Sequence, residues 1–246
     1  MAPVHWVDFD QANEYGHRVW ENFTDAQGRE DWRRNTGDDG AVEWTDFDQA
    51  NERGDSIWQN RVDAQGREDW ARITDDSGGV HWVDYDQANE RGDRIWENYT
   101  DAWGREDWAK ITHDDGGVHW VDYDQTNANT NRIWENFTAA DGFEEWQKTT
   151  EDDGSVLWID YKRPFTWFGV YERTWSNRID AQGREDTRAI TYSDGTNTFT
   201  DYDQQNVVSW RSYTTRHDAA GGRISTQIVY DDGHIENWTP SGVVYG

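Results

Sequence analysis

HWVDFDQANEYGHRVWENFTDAQGREDWRRNTGDDGAV occupies residues 5–42, and near copies of it follow at 43–80, 81–118 and 119–156. Two degenerate units complete the series, 157–197, lengthened by three residues, and 198–235 at the original length, before a tail at 236–246. A chain written this way is an array of one supersecondary unit whose faces are buried by neighbouring copies, not by a single central core. Residues 1–246 therefore read as a single repeat array. Function should lie in what the repeat displays.

Within a repeat, alternation at period two marks three segments, seen best at 94–100, 105–112 and 118–124. DAWG (DAQG in other copies) and HDDGG join them, with Gly where a positive φ is needed, and predict tight hairpins. A longer segment, QANERGD at 87–93, leads to the next copy without helical periodicity. One strand before the first full unit and three in each unit give about nineteen short strands. The fold class is all-β, an open β-solenoid or coiled meander, with a six-bladed propeller-like ring as the alternative. Trp82, Trp96, Trp108 and Trp120 share one parity, and Val83, Tyr85, Ile95, Tyr99, Ile111, Val121 and Tyr123 the other. Apolar groups on both faces predict a sheet covered on both sides.

Composition narrows the function classes. Only 34% of residues are hydrophobic, and 18 Trp, 11 Tyr and 8 Phe supply much of that, which predicts a thin aromatic core. A formal charge of −27 argues against nucleic acid and anionic membranes, because each phosphate would meet a repulsive field. There is no cysteine, hence no disulfide and no thiolate metal site. No apolar stretch approaches a membrane span or a signal-peptide core, so no membrane insertion is expected. The repeat begins almost at once, which suggests a piece of a longer polypeptide.

Turn chemistry sets a register. Pairing Asp101 with Arg105 and His113 with Gly117 through three-residue loops aligns Trp96, Lys110 and Trp120 across three strands. The same arithmetic aligns Trp20, Arg34 and Trp44, then Trp58, Arg72 and Trp82, then Trp134, Lys148 and Trp158. In the fifth unit it becomes Trp175, Ala189 and Phe199, and in the sixth Tyr213, Gln227 and Asn237. A cation between two indoles reads as a cation–π ladder that holds strands together, and also as a platform for a ligand. Trp167 joins this candidate set from YKRPFTWFGVYERTW (161–175), the least regular stretch, which either caps the array or meets a partner.

Catalysis finds little support. Carboxylates recur in every unit with no apolar pocket to set two of them apart in pKa, and His residues such as His17, His113 and His217 stand at non-equivalent positions without metal-ligand spacing. GxSxG, HExxH and P-loop motifs are absent, so no enzyme is expected. The strongest polar motif is D-[FY]-D-Q-x-N. It supplies candidate Ca²⁺ ligands at Asp8, Asp10 and Asn13, Asp46, Asp48 and Asn51, Asp84, Asp86 and Asn89, and Asp122, Asp124 and Asn127, and recurs at Asp201–Asn206. The same residues end strands and start turns. No cofactor is required on this reading; Ca²⁺ is the candidate.

The signatures DAQGRED and YSDGTNTFTDYDQ, with strands of the type T-x-T-x-Y-D-x-x-G-R, resemble the YD or RHS class of β-hairpin repeats. The D-Y-D-Q-x-N, D-A-Q-G-R and D-D-G units are more closely similar to tandem repeats within large secreted hemolysin-type (RTX-like) proteins and adhesins of Gram-negative bacteria. The resemblance covers about 5–235. It implies an extracellular, all-β, non-enzymatic stalk or shell segment and supplies no catalytic residues. The leading expectation is a structural or adhesive repeat segment of a secreted protein with a glycan or cell-surface partner. A multivalent carbohydrate-binding module using Trp faces with Asp and Asn is the alternative, and capture of quaternary ammonium groups by aromatic cages a third. Exposure of the Trp residues within one repeat separates them.

Overall fold

The computed structural model describes residues 2–10, 18–47, 57–85, 95–123, 133–162, 172–204 and 207–245. They fall in two compact units, 1–126 and 127–246. Every regular element among the described residues is a β-strand. The first unit holds β1 (Val4–Asp10), β2 (Arg18–Thr24), β3 (Glu30–Thr36), β4 (Val42–Asp46), β5 (Ile57–Val62), β6 (Glu68–Thr74), β7 (Val80–Asp84), β8 (Ile95–Thr100), β9 (Glu106–Thr112) and β10 (Val118–Asp122). The second holds β11 (Ile133–Thr138), β12 (Glu144–Thr150), β13 (Val156–Tyr161), β14 (Glu172–Ile179), β15 (Glu185–Tyr192), β16 (Asn197–Tyr202), β17 (Trp210–His217), β18 (Arg223–Tyr230), β19 (Ile235–Thr239) and β20 (Gly242–Tyr245). The expected nineteen are present, and β20 in the tail adds one.

Within each unit every strand pairs antiparallel with the strand before and after it in sequence, so each is an open meander. The propeller alternative fails on this point. In the first unit β3–β4 and β6–β7 pairing crosses the repeat boundaries at 42/43 and 80/81, and β4–β5 and β7–β8 pairing continues the ladder across the long connections, so it has no break at which a propeller would divide into blades. Within each unit the described strands also touch only their sequence neighbours. The expectation of a sheet covered on both faces is thus corrected among the described residues: each unit is a single layer, and no large side chain in it is fully buried. Half-buried rings and paired edges hold it, with small residues such as Ala71 and Ala109 the only buried apolar side chains in β6 and β9.

The hairpin turns have the geometry their residues predict. The N–H of Asp101 donates to the Arg105 carbonyl at 2.8 Å and that of Gly104 to the Asp101 carbonyl at 2.9 Å, with Gly104 at φ +78°, which strongly favours glycine. The Asp side chain completes the loop: Asp101 Oδ1 accepts from the N–H groups of Trp103 and Arg105, while Oδ2 takes the Arg105 Nε at 2.8 Å. Asp25, Asp63 and Asp180 repeat this arrangement with Arg29, Arg67 and Arg184. At Asp25 and Asp180 the backbone N–H of that Arg holds the carboxyl below its ordinary value of 3.8, partial desolvation works against it, and the guanidinium adds to the lowering. At Asp63 and Asp101 desolvation is the largest influence, yet the same hydrogen bonds outweigh it.

A carboxyl with a depressed folded-state pKa stabilises the fold above its unfolded value, and that stabilisation disappears as pH falls through the depressed one. A chain carrying Asp25→Asn, Asp63→Asn, Asp101→Asn and Asp180→Asn should therefore melt below the parent at pH 7. The gap should narrow from about pH 4 downwards. Melting curves at several pH values check this, and a gap undiminished at pH 2 would show that ionisation is not its source.

Beyond each of these turns the register departs from the even alternation of the sequence. Thr100 pairs with Glu106, but Tyr99 pairs with Trp108, so Asp107 is an extra residue in β9, a β-bulge. Glu106 and Trp108, two apart, consequently point to opposite faces. The bulge recurs at β2–β3, β5–β6 and β11–β12. Its carbonyl is not idle: Asp107 accepts the Tyr123 N–H at 2.8 Å. One parity change per repeat, with direct pairing elsewhere, places successive repeats on opposite faces. Trp32 and Trp44 lie on one face, Trp70 and Trp82 on the other, and Trp108 and Trp120 on the first again. This corrects the single Trp face inferred from parity: Trp82 and Trp96 share one side, Trp108 and Trp120 the opposite one.

Candidate functional site

The bulge also rewrites the cation rows. Arg34, Arg72, Lys110 and Lys148 do stand opposite Trp44, Trp82, Trp120 and Trp158, as expected. On their other side, however, they meet Glu21, Gln59, Glu97 and Glu135, not Trp20, Trp58, Trp96 and Trp134. The expected indole–cation–indole row is thus carboxylate–cation–indole in three of the four copies. Lys110 Nζ lies 2.6 Å from Glu97 Oε1 and Lys148 Nζ 2.6 Å from Glu135 Oε1, Arg34 approaches Glu21 at 3.8 Å, and Arg72 donates to Gln59 Oε1 at 3.5 Å. In the degenerate units Ala189 stands between Ser176 and Phe199, and Gln227 between Thr214 and Asn237. Cation–π contacts arise elsewhere, with the Arg33 guanidinium 5.2 Å from the Phe47 ring and that of Arg105 5.0 Å from Trp103.

What lies between two indoles is a carboxylate. Asp46 is paired with Trp32 on one side and Trp58 on the other, Asp84 with Trp70 and Trp96, and, in the second unit, Asp160 with Trp146 and Trp175. Asp8 faces Trp20 and Asp122 faces Trp108 in the same manner. Stacked rings flank each row: Trp32 on Trp44 at 4.8 Å between centroids, Trp70 on Trp82 at 5.0 Å, Trp108 on Trp120 at 4.9 Å and Trp146 on Trp158 at 4.9 Å. His5 and Phe23 extend the first stack, and His81 and Tyr99 the third. These stacked indoles are half-buried.

One further Trp in each of the first three repeats is open at an equivalent position. Trp20, Trp58 and Trp96 are exposed at 40%, 36% and 36% and stand opposite Asp8, Asp46 and Asp84. Trp134 is half-buried. An indole beside a carboxylate offers an apolar plate with hydrogen-bond acceptors at its edge, the combination that suits the apolar face and hydroxyl rim of a sugar ring. In the last copy of the motif burial, followed by the charges of Asp186 and Asp203, pushes the Asp201 carboxyl above its usual range, opposite Tyr213. No structure-based pocket was legible in the sequence. Among the concavities of the described residues are one of about 500 Å³ in the first unit, lined by Asn35, Asp39, Glu43 and Arg61 among others, and one of about 470 Å³ in the second, lined by Tyr213, Ile228, Trp238 and Pro240 among others.

The D-[FY]-D-Q-x-N motif is only partly visible. Asp8, Asp46, Asp84 and Asp122 sit in strands β1, β4, β7 and β10. Asp48, Asp86, Asp124, Asn13, Asn51, Asn89 and Asn127 lie outside the described residues, as do Trp167 and the side chain of Asp10. Among the described residues no three His, Asp or Glu side chains are grouped as metal ligands, and no helix is long and apolar enough to cross a membrane. No protein-family model matches the chain, and no curated protein matches it significantly.

Proposed function

We propose that the chain is a non-enzymatic, extracellular structural and adhesive repeat segment of a secreted protein. The observation that supports this is the contact pattern, in which the described strands of each unit touch only their sequence neighbours, so that each added repeat extends the meander. Adhesion is the testable half. Beads coated with the protein should bind glycan-bearing cell surfaces, and loss of this binding after enzymatic deglycosylation of the cells identifies the partner class. Beads that bind no such surface would remove the adhesive role. Repeating the assay with EDTA or EGTA tests the Ca²⁺ candidate, at matched ionic strength because so acidic a chain also responds to simple screening.

A second reading, multivalent carbohydrate binding, is favoured by the exposed Trp20, Trp58 and Trp96 opposite their Asp partners. Each site alone is shallow, so its strength comes from repetition. Replacing all three by alanine should lower avidity for a polyvalent glycan by about 10²-fold or more, whereas each single replacement should cost far less. Glycan-array binding of the single and triple variants measures this. Equal binding by parent and triple variant would eliminate these indoles as the contact.

A further inference from the structure

β1 (VHWVDFD) is by sequence the same strand as β7 and β10, both VHWVD. In the first unit β4 lies between β3 and β5, β7 lies between β6 and β8, and β10 takes β9 on the corresponding side. β1 is paired with β2 alone among the described residues. Three occupied copies therefore define what its other edge accepts: β3 (EDWRRNT), β6 (EDWARIT) and β9 (EDWAKIT).

We propose that the open edge of β1 is a β-augmentation site for an extended segment of the E-D-W-x-[RK]-x-T type. The segment runs antiparallel, with its Lys or Arg opposite Trp6, its Trp opposite Asp8 and its Thr opposite Val4, the register of Trp120, Asp122 and Val118 against Lys110, Trp108 and Thr112. This site is independent of the glycan reading.

Three observations carry it. The first is backbone direction: Phe47, Tyr85 and Tyr123 donate their N–H groups to the carbonyls of Asp31, Asp69 and Asp107 at 2.8, 2.9 and 2.8 Å. Phe9 is their equivalent, so its N–H and, by alternation, that of Val7 point out from the open edge. The second is exposure. Trp6 and Phe9 are exposed at 63% and 60%, whereas Trp44, Trp82, Trp120, Phe47, Tyr85 and Tyr123 are half-buried. The third is weak protection: β1 is seven residues long, carries Val4, Trp6, Val7 and Phe9, and contains neither Lys nor Pro, while the equivalents of its Asp8, Asp84 and Asp122, stand in strands that are paired on this side.

The test titrates the full chain, by calorimetry, with a synthetic peptide of residues 104–115, GREDWAKITHDD. Saturable one-to-one binding is expected. A peptide N-methylated at Ala109, whose N–H faces the β10-type strand, should lose at least tenfold in affinity. One N-methylated at Lys110, whose N–H faces away, should bind nearly as the parent. On the protein side Val7→Pro removes a donor from the open edge without removing a bond to β2, and should abolish binding. The proposal is overturned if the parent peptide does not bind, if the two N-methyl peptides bind equally, or if Val7→Pro, folded by circular dichroism, binds as the parent does. The two peptides decide the matter even where Val7→Pro disturbs β1.

Discussion

Trp108→Ala is expected to destabilise the first unit by about 2–3 kcal/mol, somewhat below the usual cost of removing a fully buried Trp because this ring is half-buried. Trp108 is the shared member of a stack that joins four strands: His81 at 5.3 Å, Tyr99 at 6.4 Å and Trp120 at 4.9 Å all meet its ring. In a single-layer sheet no second layer can move in to fill the space. The loss therefore falls on the contacts between β7, β8, β9 and β10. Trp103→Ala is the control, since that indole is 79% exposed at a turn, and it should change stability by less than about 0.5 kcal/mol. Denaturant unfolding of the two variants compares them. Equal and small effects would mean that strand pairing, not ring stacking, holds the sheet.

Deleting residues 81–118 should leave a folded, soluble protein one repeat shorter. The deletion joins Val80 to His119, and the strand so formed again reads VHWVD, so β6 regains a partner identical to the one it lost. Because the described strands of each unit contact only their sequence neighbours, the interface re-formed with β6 has its precedent in the parent. Strand signal per residue in circular dichroism should be unchanged, and unfolding free energy should fall by roughly one repeat's share. Aggregation, or loss of strand signal, would contradict a nearest-neighbour array. A larger closed structure would then have to be sought.

Much of the architecture was legible because the sequence repeats its own punctuation. Asp101, Gly104 and Arg105 specify a loop whose hydrogen bonds follow from their chemistry, and the same is true of His113–Gly117. The second hairpin of each repeat, built without a bulge, came out in the predicted register, with Lys110 opposite Trp120. The first hairpin did not. A bulge leaves no residue type of its own, and Asp107 looks like any other acidic strand residue. The signal was present in the aromatics: with even alternation Tyr99 would face Asp107 and Trp108 would face Asn98, whereas one extra residue sets Tyr99 against Trp108. Aromatic cross-strand pairs recur at Phe23 with Trp32 and Phe137 with Trp146, and weighing them above the loop count would have located the bulge. Single-layer openness was not legible at all. Apolar residues on both faces ordinarily mean burial on both, and only the contacts show that half-covered rings on alternating sides account for the pattern.

Three is an odd number of strands for a repeat, and with the bulge it makes consecutive copies turn over as they advance. The front and back of the first unit are therefore chemically alike, one carrying Asp46 between Trp32 and Trp58, the other Asp84 between Trp70 and Trp96. A protein with its contact rows all on one side coats whatever it recognises. One with equivalent rows front and back links two objects at once, so a glycan-bearing particle that this chain recognises should clump at intermediate protein concentrations and disperse again when protein is in large excess.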